Sequence, residues 1–136
     1  MTREIFTALV QEAIDTIPAE FARAIHNVAI IVEDRPSPEL LAEMAMEDDE
    51  SLLGLYQGIP LTQRQSGYGN ALPDRISLYQ LEIEEDCDGD EDEIVGAIGE
   101  TLIHELGHYF GMDEDQIMEI EERYWRGDAS APDPKP

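Results

Sequence analysis

Cysteine and basic side chains are scarce in this chain of 136 residues. The single cysteine, Cys87, excludes an intramolecular disulfide, and its acidic neighbours are expected to raise the pKa of its thiol and make it a poor nucleophile. Only 8 Lys and Arg residues stand against 32 Asp and Glu residues, which gives a formal net charge of -24. Phosphate binding needs concentrated Lys and Arg, so nucleic acid is not an expected partner. The same charge repels anionic membrane surfaces.

Long apolar runs are also missing from the chain. The N-terminal segment carries acidic residues from Glu4 onward, and no run reaches the length of a signal-peptide core or a transmembrane helix. We therefore expect a cytoplasmic protein without a membrane partner. Hydrophobic residues make up 42% of the sequence, enough for a core that needs no disulfide or structural metal. The length fits one domain, placed at residues 1–126, and the Pro-containing tail at residues 127–136 is predicted to be disordered.

The stretch from Thr101 to Asp115, TLIHELGHYFGMDED, contains the pattern His-Glu-x-x-His. Side chains four residues apart on a helix are rotated by about 40° and separated by about 6 Å along the axis, so His104 and His108 can reach one metal ion. Glu105 projects from the same side of the helix, close enough to take a proton from water at that ion. The pattern therefore predicts a zinc site with Glu105 as its general base.

A third zinc ligand must come from outside this pattern, because catalytic zinc commonly takes three protein ligands and leaves one position for water. Gly111 is expected to end the helix in the left-handed conformation, and a sharp turn there would bring the residue three positions later back to the ion. That residue is Glu114, which we favour as the third ligand. Asp113 is the alternative for a tighter turn, and Glu119 or Glu122 are the alternatives if the ligand lies further along the next helix, as in thermolysin.

Hydrophobic periodicity predicts helices combined with short strands. The predicted helices cover residues 6–17, a short segment from Pro18, residues 37–46, residues 92–110 and residues 113–126, and the predicted strands cover residues 28–32, a segment from Leu52 and residues 75–83. Residues 59–74 are rich in turn formers and are predicted to be a long loop that could form a wall of a substrate cleft.

The predicted metal-binding helix has two contrasting faces. The imidazoles share a side with Ala97 and Thr101, and the main apolar stripe lies opposite them. Gly96, Gly99 and Gly107 each lower helix propensity by up to about 1 kcal/mol. We expect their compensation to be the close approach of a strand or a loop.

The acidic segment from Asp86 to Asp92 alternates aspartates in the manner of a calcium loop. Counted from Asp86, the sixth position is Glu91, where an EF-hand needs Gly, and the twelfth is Ala97, where it needs a bidentate Glu. We therefore interpret the segment as a solvated acidic loop that favours the N-terminus of the following helix, with calcium binding as the alternative.

The residues around the His-Glu-x-x-His pattern resemble those of a known family, the small bacterial zincin-like metallopeptidases or minimal zincins. The resemblance rests on HELGHYFGMDED and on the preceding PDRISLY segment, and the order of elements is similar over most of residues 1–126. It implies an α+β fold in one domain, with a small twisted mixed sheet packed against the active-site helix and flanking helices. It also implies a zinc cofactor and an acidic third ligand, which by position is Glu114. The chain departs from larger metzincins because it lacks a separate Met-turn segment after the motif; Met118 is too close and lies on a predicted helix.

Two functions are compatible with this pattern. The first is a zinc metallopeptidase that hydrolyses peptides or unfolded proteins, with Glu105 taking the proton of the attacking water and passing it to the leaving amine. The second is a catalytically weak or inactive zincin scaffold whose acidic surface binds a basic partner. Tyr68, Tyr124 and Arg75 are candidates for the group that stabilises the oxyanion. Oligomeric state does not follow from the sequence.

Overall fold

The structure is a computed structural model that describes residues 1–44, 52–58 and 74–125. The helices in these ranges are α1 (Arg3–Ile14), α2 (Ala19–Ala24), α3 (Pro38–Glu43), α4 (Gln80–Asp86), α5 (Glu91–Tyr109) and α6 (Glu114–Trp125). The strands are β1 (Ala29–Glu33), β2 (Gly54–Gln57) and β3 (Arg75–Tyr79). Nearly all of the predicted loop at residues 59–74 and the whole predicted tail at residues 127–136 lie outside the described residues. Within them, the helices are too short or too polar to span a bilayer.

The three strands form one mixed sheet in the order β1-β3-β2. The central strand β3 runs parallel to β1 and antiparallel to β2, so β2 lies at an edge of the sheet in the part that the structure describes. The amide of Tyr79 donates to the carbonyl of Leu53 at 2.9 Å. Because the direction of hydrogen bonding alternates along an antiparallel ladder, the amides of Gly54 and Tyr56 point away from β3. The predicted α+β fold with a small mixed sheet is confirmed.

Helix α5 passes through the centre of the molecule and packs against α1, α2, α4, α6, β2 and β3. The face of α5 that carries the imidazoles is therefore partly buried, since Ala97 and Thr101 are each only 9% exposed. Strand β2 crosses that face at Gly54, where an added Cβ would lie 2.6 Å from Cγ2 of Thr101 and 2.9 Å from the carbonyl oxygen of Ser77. Glycine at position 54 thus allows the strand to lie directly on the metal-binding side of the helix.

The predicted strand at residues 75–83 is wrong in its second half, because β3 ends at Tyr79 and α4 begins at Gln80. Alternation of Leu81 and Ile83 indicated a strand, but the buried residues are Gln80, Ile83 and Cys87, which are spaced as on a helix. Short apolar runs fit either period, so tertiary burial decides between them. The other predicted elements are present with shifted ends, and Ser37 caps α3 by accepting a hydrogen bond from the Leu40 amide at 3.1 Å.

The acidic segment between α4 and α5 acts as a helix start. Asp90 is the N-cap of α5, and its Oδ1 accepts a hydrogen bond from the amide of Glu93 at 3.0 Å. Carboxylates in this first turn favour the positive end of the helix dipole. None of them belongs to a group of metal-ligand side chains in the described residues. Burial raises the pKa of the nearby Cys87 thiol, and the surrounding carboxylates add to this effect in the predicted direction.

Candidate metal centre

Helix α5 brings His104, Glu105 and His108 together, with one ligand atom of each within 4.8 Å of the others. The two imidazole rings lie 4.9 Å apart, centre to centre. Their side chains are 35% and 39% exposed, whereas the side chain of Glu105 is only 11% exposed. Two accessible imidazoles beside a buried carboxylate can hold a metal and place a base next to it.

Glu114 lies opposite the imidazoles because the chain reverses at the end of α5. Gly111 has a φ of 78°, and the amide of Met112 donates to the carbonyl of Gly107 at 2.9 Å, which closes the helix end. The Oε2 atom of Glu114 then lies 3.3 Å from Nε2 of His108, and its Oε1 lies 3.9 Å from Nε2 of His104. Ligand atoms of a tetrahedral zinc ion with bonds near 2.0–2.1 Å are about 3.3 Å apart. Oε2 of Glu114 and Nε2 of His108 are therefore at the separation of two ligands of one zinc ion, and Nε2 of His104 lies somewhat further from the other oxygen of the same carboxylate.

Two of the alternative third ligands, Asp113 and Glu119, are engaged in other contacts. Oδ1 of Asp113 accepts a hydrogen bond from the Gln116 amide at 2.8 Å, and the Gln116 side chain accepts one from the Asp113 amide at 2.9 Å. This reciprocal capping box commits Asp113 to the start of α6. Glu119 pairs with Arg123 at 3.3 Å.

Glu121 is a site residue that the sequence analysis missed. Its Oε2 lies 3.1 Å from Nδ1 of His104, and its side chain is only 17% exposed. A carboxylate at Nδ1 favours the tautomer in which Nδ1 donates the hydrogen and Nε2 keeps a lone pair for a metal. The signal was available in the spacing, because Glu114, Ile117 and Glu121 follow one another at i, i+3 and i+7 on one helical face. Glu119 and Glu122 fall outside that face.

A row of glycines allows α6 to pack close to α5. An added Cβ on Gly107 would lie 2.5 Å from Cγ1 of Ile117, and one on Gly99 would lie 2.0 Å from the hydroxyl oxygen of Tyr124. The expected close approach is therefore present, but side chains of a helix make it rather than a strand or loop. This antiparallel packing carries Glu114 and Glu121 to the two imidazoles.

The carboxylate of Glu105 is held by the edge of the sheet. Its Oε1 accepts a hydrogen bond from the backbone amide of Tyr56 at 2.7 Å and lies 3.7 Å from Nδ1 of His108. Burial raises the pKa of Glu105, while the Tyr56 hydrogen bond and the neighbouring imidazoles oppose the rise. A carboxylate with a raised pKa is a better proton acceptor near neutral pH than an exposed one.

The candidate oxyanion stabilisers lie away from this group or outside the described residues. The hydroxyl of Tyr124 is 3.3 Å from Oγ1 of Thr16 and donates to the carbonyl of Val95 at 3.5 Å. Arg75 donates from Nε to the Gln57 side chain at 2.9 Å. Tyr68 is not among the described residues.

The helix carries His, Glu and His in the order typical of the zincin class. It packs beside the edge strand of a mixed sheet, and an acidic residue follows on the next helix. The family model described as zincin-like metallopeptidase matches residues 25–124 of the chain. The protein therefore belongs to the zincin-like metallopeptidase family. Membership of this family implies a metal cofactor, usually zinc. Comparison with curated proteins gives no match.

Proposed function

We propose that this protein is a zinc-dependent peptidase in which His104, His108 and Glu114 hold the metal and Glu105 is the general base. The observation that carries the proposal is the convergence of both imidazole Nε2 atoms on the carboxylate of Glu114, with separations of 3.3 and 3.9 Å. Two imidazole nitrogens and one carboxylate oxygen form a donor set typical of catalytic zinc. Four-coordinate zinc with these ligands keeps one position for water or substrate.

Zinc, when bound, supplies a Lewis acid that acidifies water and polarises a carbonyl group. The protein supplies the proton transfer: Glu105 takes the proton of the attacking water and later delivers it to the leaving amine. The amide of Tyr56 orients Glu105 by holding Oε1, which leaves Oε2 to exchange the proton. Glu121 keeps His104 in the metal-binding tautomer by accepting from Nδ1.

The position of β2 at the edge of the described sheet supports an extended peptide as the substrate. The amide of Tyr56 points away from β3 and donates to Glu105, so this edge strand lies directly beside the proposed base. A peptide lying along β2 would pass close to Glu105, and binding of an extended peptide along an edge strand is a common mode of peptide recognition. Peptides and unfolded proteins can adopt this extended form, so they are the substrate class that we propose.

The test is a comparison of wild-type protein with Glu105→Gln after loading with zinc. Both proteins are expected to bind close to one zinc per chain, and only the wild type is expected to cleave a peptide library or an unfolded protein. Glu39→Gln serves as the control, because Glu39 lies on the exposed helix α3 and changes the net charge equally. Failure of the zinc-loaded wild type to cleave any sequence in a broad library would refute the proposal.

A second candidate function, a scaffold that binds a basic partner, is favoured by the formal net charge of -24. A partner retained equally by wild type and Glu105→Gln, and released by salt, would support this function. The cytoplasmic location and the absence of nucleic-acid and membrane partners remain predictions from the composition.

A further inference from the structure

A cleft of about 230 Å³ opens beside the candidate metal centre. Its lining combines apolar or small residues from the β2 segment and α5 with acidic residues and two members of the metal centre: Leu52, Leu53, Gly54, Thr101, Glu100, Glu121, His104 and Glu105. A water molecule occupies about 30 Å³ of liquid volume, so the cleft has room for an amino-acid side chain. Because His104 and Glu105 border it, a side chain held there would belong to a residue close to the bond that is cleaved.

Glu100 is the carboxylate of this cleft that is available to a ligand. Glu121 already accepts from His104, and Glu105 is held by the sheet. Glu100 lies one turn before His104 on α5, and its side chain lines the cleft. The hydrogen bonds and ion pairs found for the two imidazoles in the described residues go to Glu105, Glu114 and Glu121, and Glu100 is not among these partners.

We propose that Glu100 selects substrates with Lys or Arg next to the cleaved bond, an inference that rests on the proposed peptidase function. Lys and Arg combine an apolar stem with a charged head, and the cleft offers Leu52 and Leu53 for the stem and Glu100 for the head. An acidic side chain would meet the carboxylates of Glu100, Glu105 and Glu121, and a neutral side chain would give Glu100 no opposite charge to pair with. The cleft therefore discriminates by charge as well as by size.

The experiment compares cleavage sites in a mixed peptide library for wild type, Glu100→Gln and the control Glu39→Gln, all as zinc-loaded full chains. Wild type should enrich Lys and Arg at one position adjacent to the cleaved bond. For matched peptides with Lys or Met at that position, Glu100→Gln should lower the Lys-to-Met ratio of kcat/KM by about fivefold, the size expected for one partly exposed ion pair. Glu39→Gln removes the same charge and should leave the ratio unchanged.

A charge reversal makes the test independent of how well one variant folds. Glu100→Lys should shift the preference toward Asp or Glu at the same position, and Glu39→Lys should not. Zinc content and the unfolding midpoint of each variant show whether the metal centre and fold are retained. Cleavage without a basic preference, or an equal loss of preference in the Glu39 variants, would overturn the inference.

Binding separates this inference from the proposed function. Fluorescence anisotropy of labelled Lys and Met peptides with Glu105→Gln protein measures recognition without turnover. Absence of cleavage in wild type together with Glu100-dependent binding of the Lys peptide would reject the peptidase and keep the selectivity. Cleavage together with equal binding of both peptides would keep the peptidase and reject the role of Glu100.

Discussion

Replacing Gly107 with alanine is expected to push α6 away from α5 and weaken metal binding. The new Cβ would lie 2.5 Å from Cγ1 and 2.7 Å from Cδ1 of Ile117. Carbon atoms make favourable contacts at about 3.5–4.0 Å, so the two residues must separate by about 1 Å. Ile117 cannot swing aside easily, because it is β-branched and only 1% exposed.

The change in the free energy of unfolding results from two opposing effects. Overpacking of a core costs about 1–3 kcal/mol, while replacing a helical glycine by alanine returns about 1 kcal/mol. The free energy of unfolding should therefore fall by up to about 2 kcal/mol. Glu114 lies one turn before Ile117 on the same face, so its 3.3 Å separation from Nε2 of His108 would widen with the helix. We expect zinc affinity to fall by about tenfold or more, as when a supporting group of a metal site is lost.

Zinc affinity is measured by competition with a chromophoric chelator, and stability by urea unfolding of the metal-free protein. Gly96→Ala is the matched control on the same helix, because its Cβ would meet Cη2 of Trp125 at 2.8 Å. Trp125 is 57% exposed and its ring can move away, so this variant should keep zinc affinity and gain stability. Wild-type zinc affinity in Gly107→Ala would refute the idea that close helix packing places Glu114.

A double substitution tests the contact itself. Ile117→Ala removes both atoms that would clash, so Gly107→Ala should be less harmful in that background than in the wild type. The interaction energy should reach about 0.5 kcal/mol or more, as for residues in direct contact. Strict additivity would contradict the contact.

Three further predictions concern the surroundings of the metal. Glu121→Gln removes the charge that favours the metal-binding tautomer of His104, so zinc affinity measured by the same competition should fall by about tenfold, and an unchanged affinity would exclude this role. Gly54→Ala should lower the free energy of unfolding by about 1–3 kcal/mol, because the new Cβ would lie 2.6 Å from Thr101; a neutral result in urea would contradict the close crossing. Burial, with the nearby Glu121 charge adding to it, raises the pKa of Glu100, so this group stabilises the fold fully below its unfolded pKa of about 4.3 and loses that contribution as pH rises through its folded pKa. Urea unfolding of metal-free protein between about pH 4 and 7 should thus show the wild type losing stability relative to Glu100→Gln as pH rises. Parallel pH profiles of the two proteins would contradict the raised pKa of Glu100.

Much of the candidate centre is local in sequence, which is why it could be predicted. The spacing of His104 and His108 follows from helix periodicity, and the turn at Gly111 depends on hydrogen bonds to residues within one turn. The position of Glu114 depends on that same short turn. Its preference over Asp113 depends on a capping box with Gln116, which is also local and readable from the sequence.

Other features could not be read because local patterns were ambiguous. The apolar residues after Tyr79 are spaced in a way that fits both a strand and a helix. The structure has a helix there, with Ile83 buried in the core. The glycines of α5 indicated a close neighbour without identifying it. The spacing places Glu121 on the helical face of Glu114 and Ile117, but its contact with His104 depends on how α6 packs on α5.

The sequence by itself determined which groups form the candidate centre: two imidazoles and a carboxylate on one helix, and an acidic residue after a glycine turn. The tertiary structure decided how those groups are held. The hydrogen bond from Tyr56 to Glu105 joins residues 49 positions apart, and the contact from Glu121 to His104 joins residues 17 apart. Helix periodicity and turns act over a few residues, whereas the burial of Glu105 and the support of His104 depend on how β2 and α6 pack on α5.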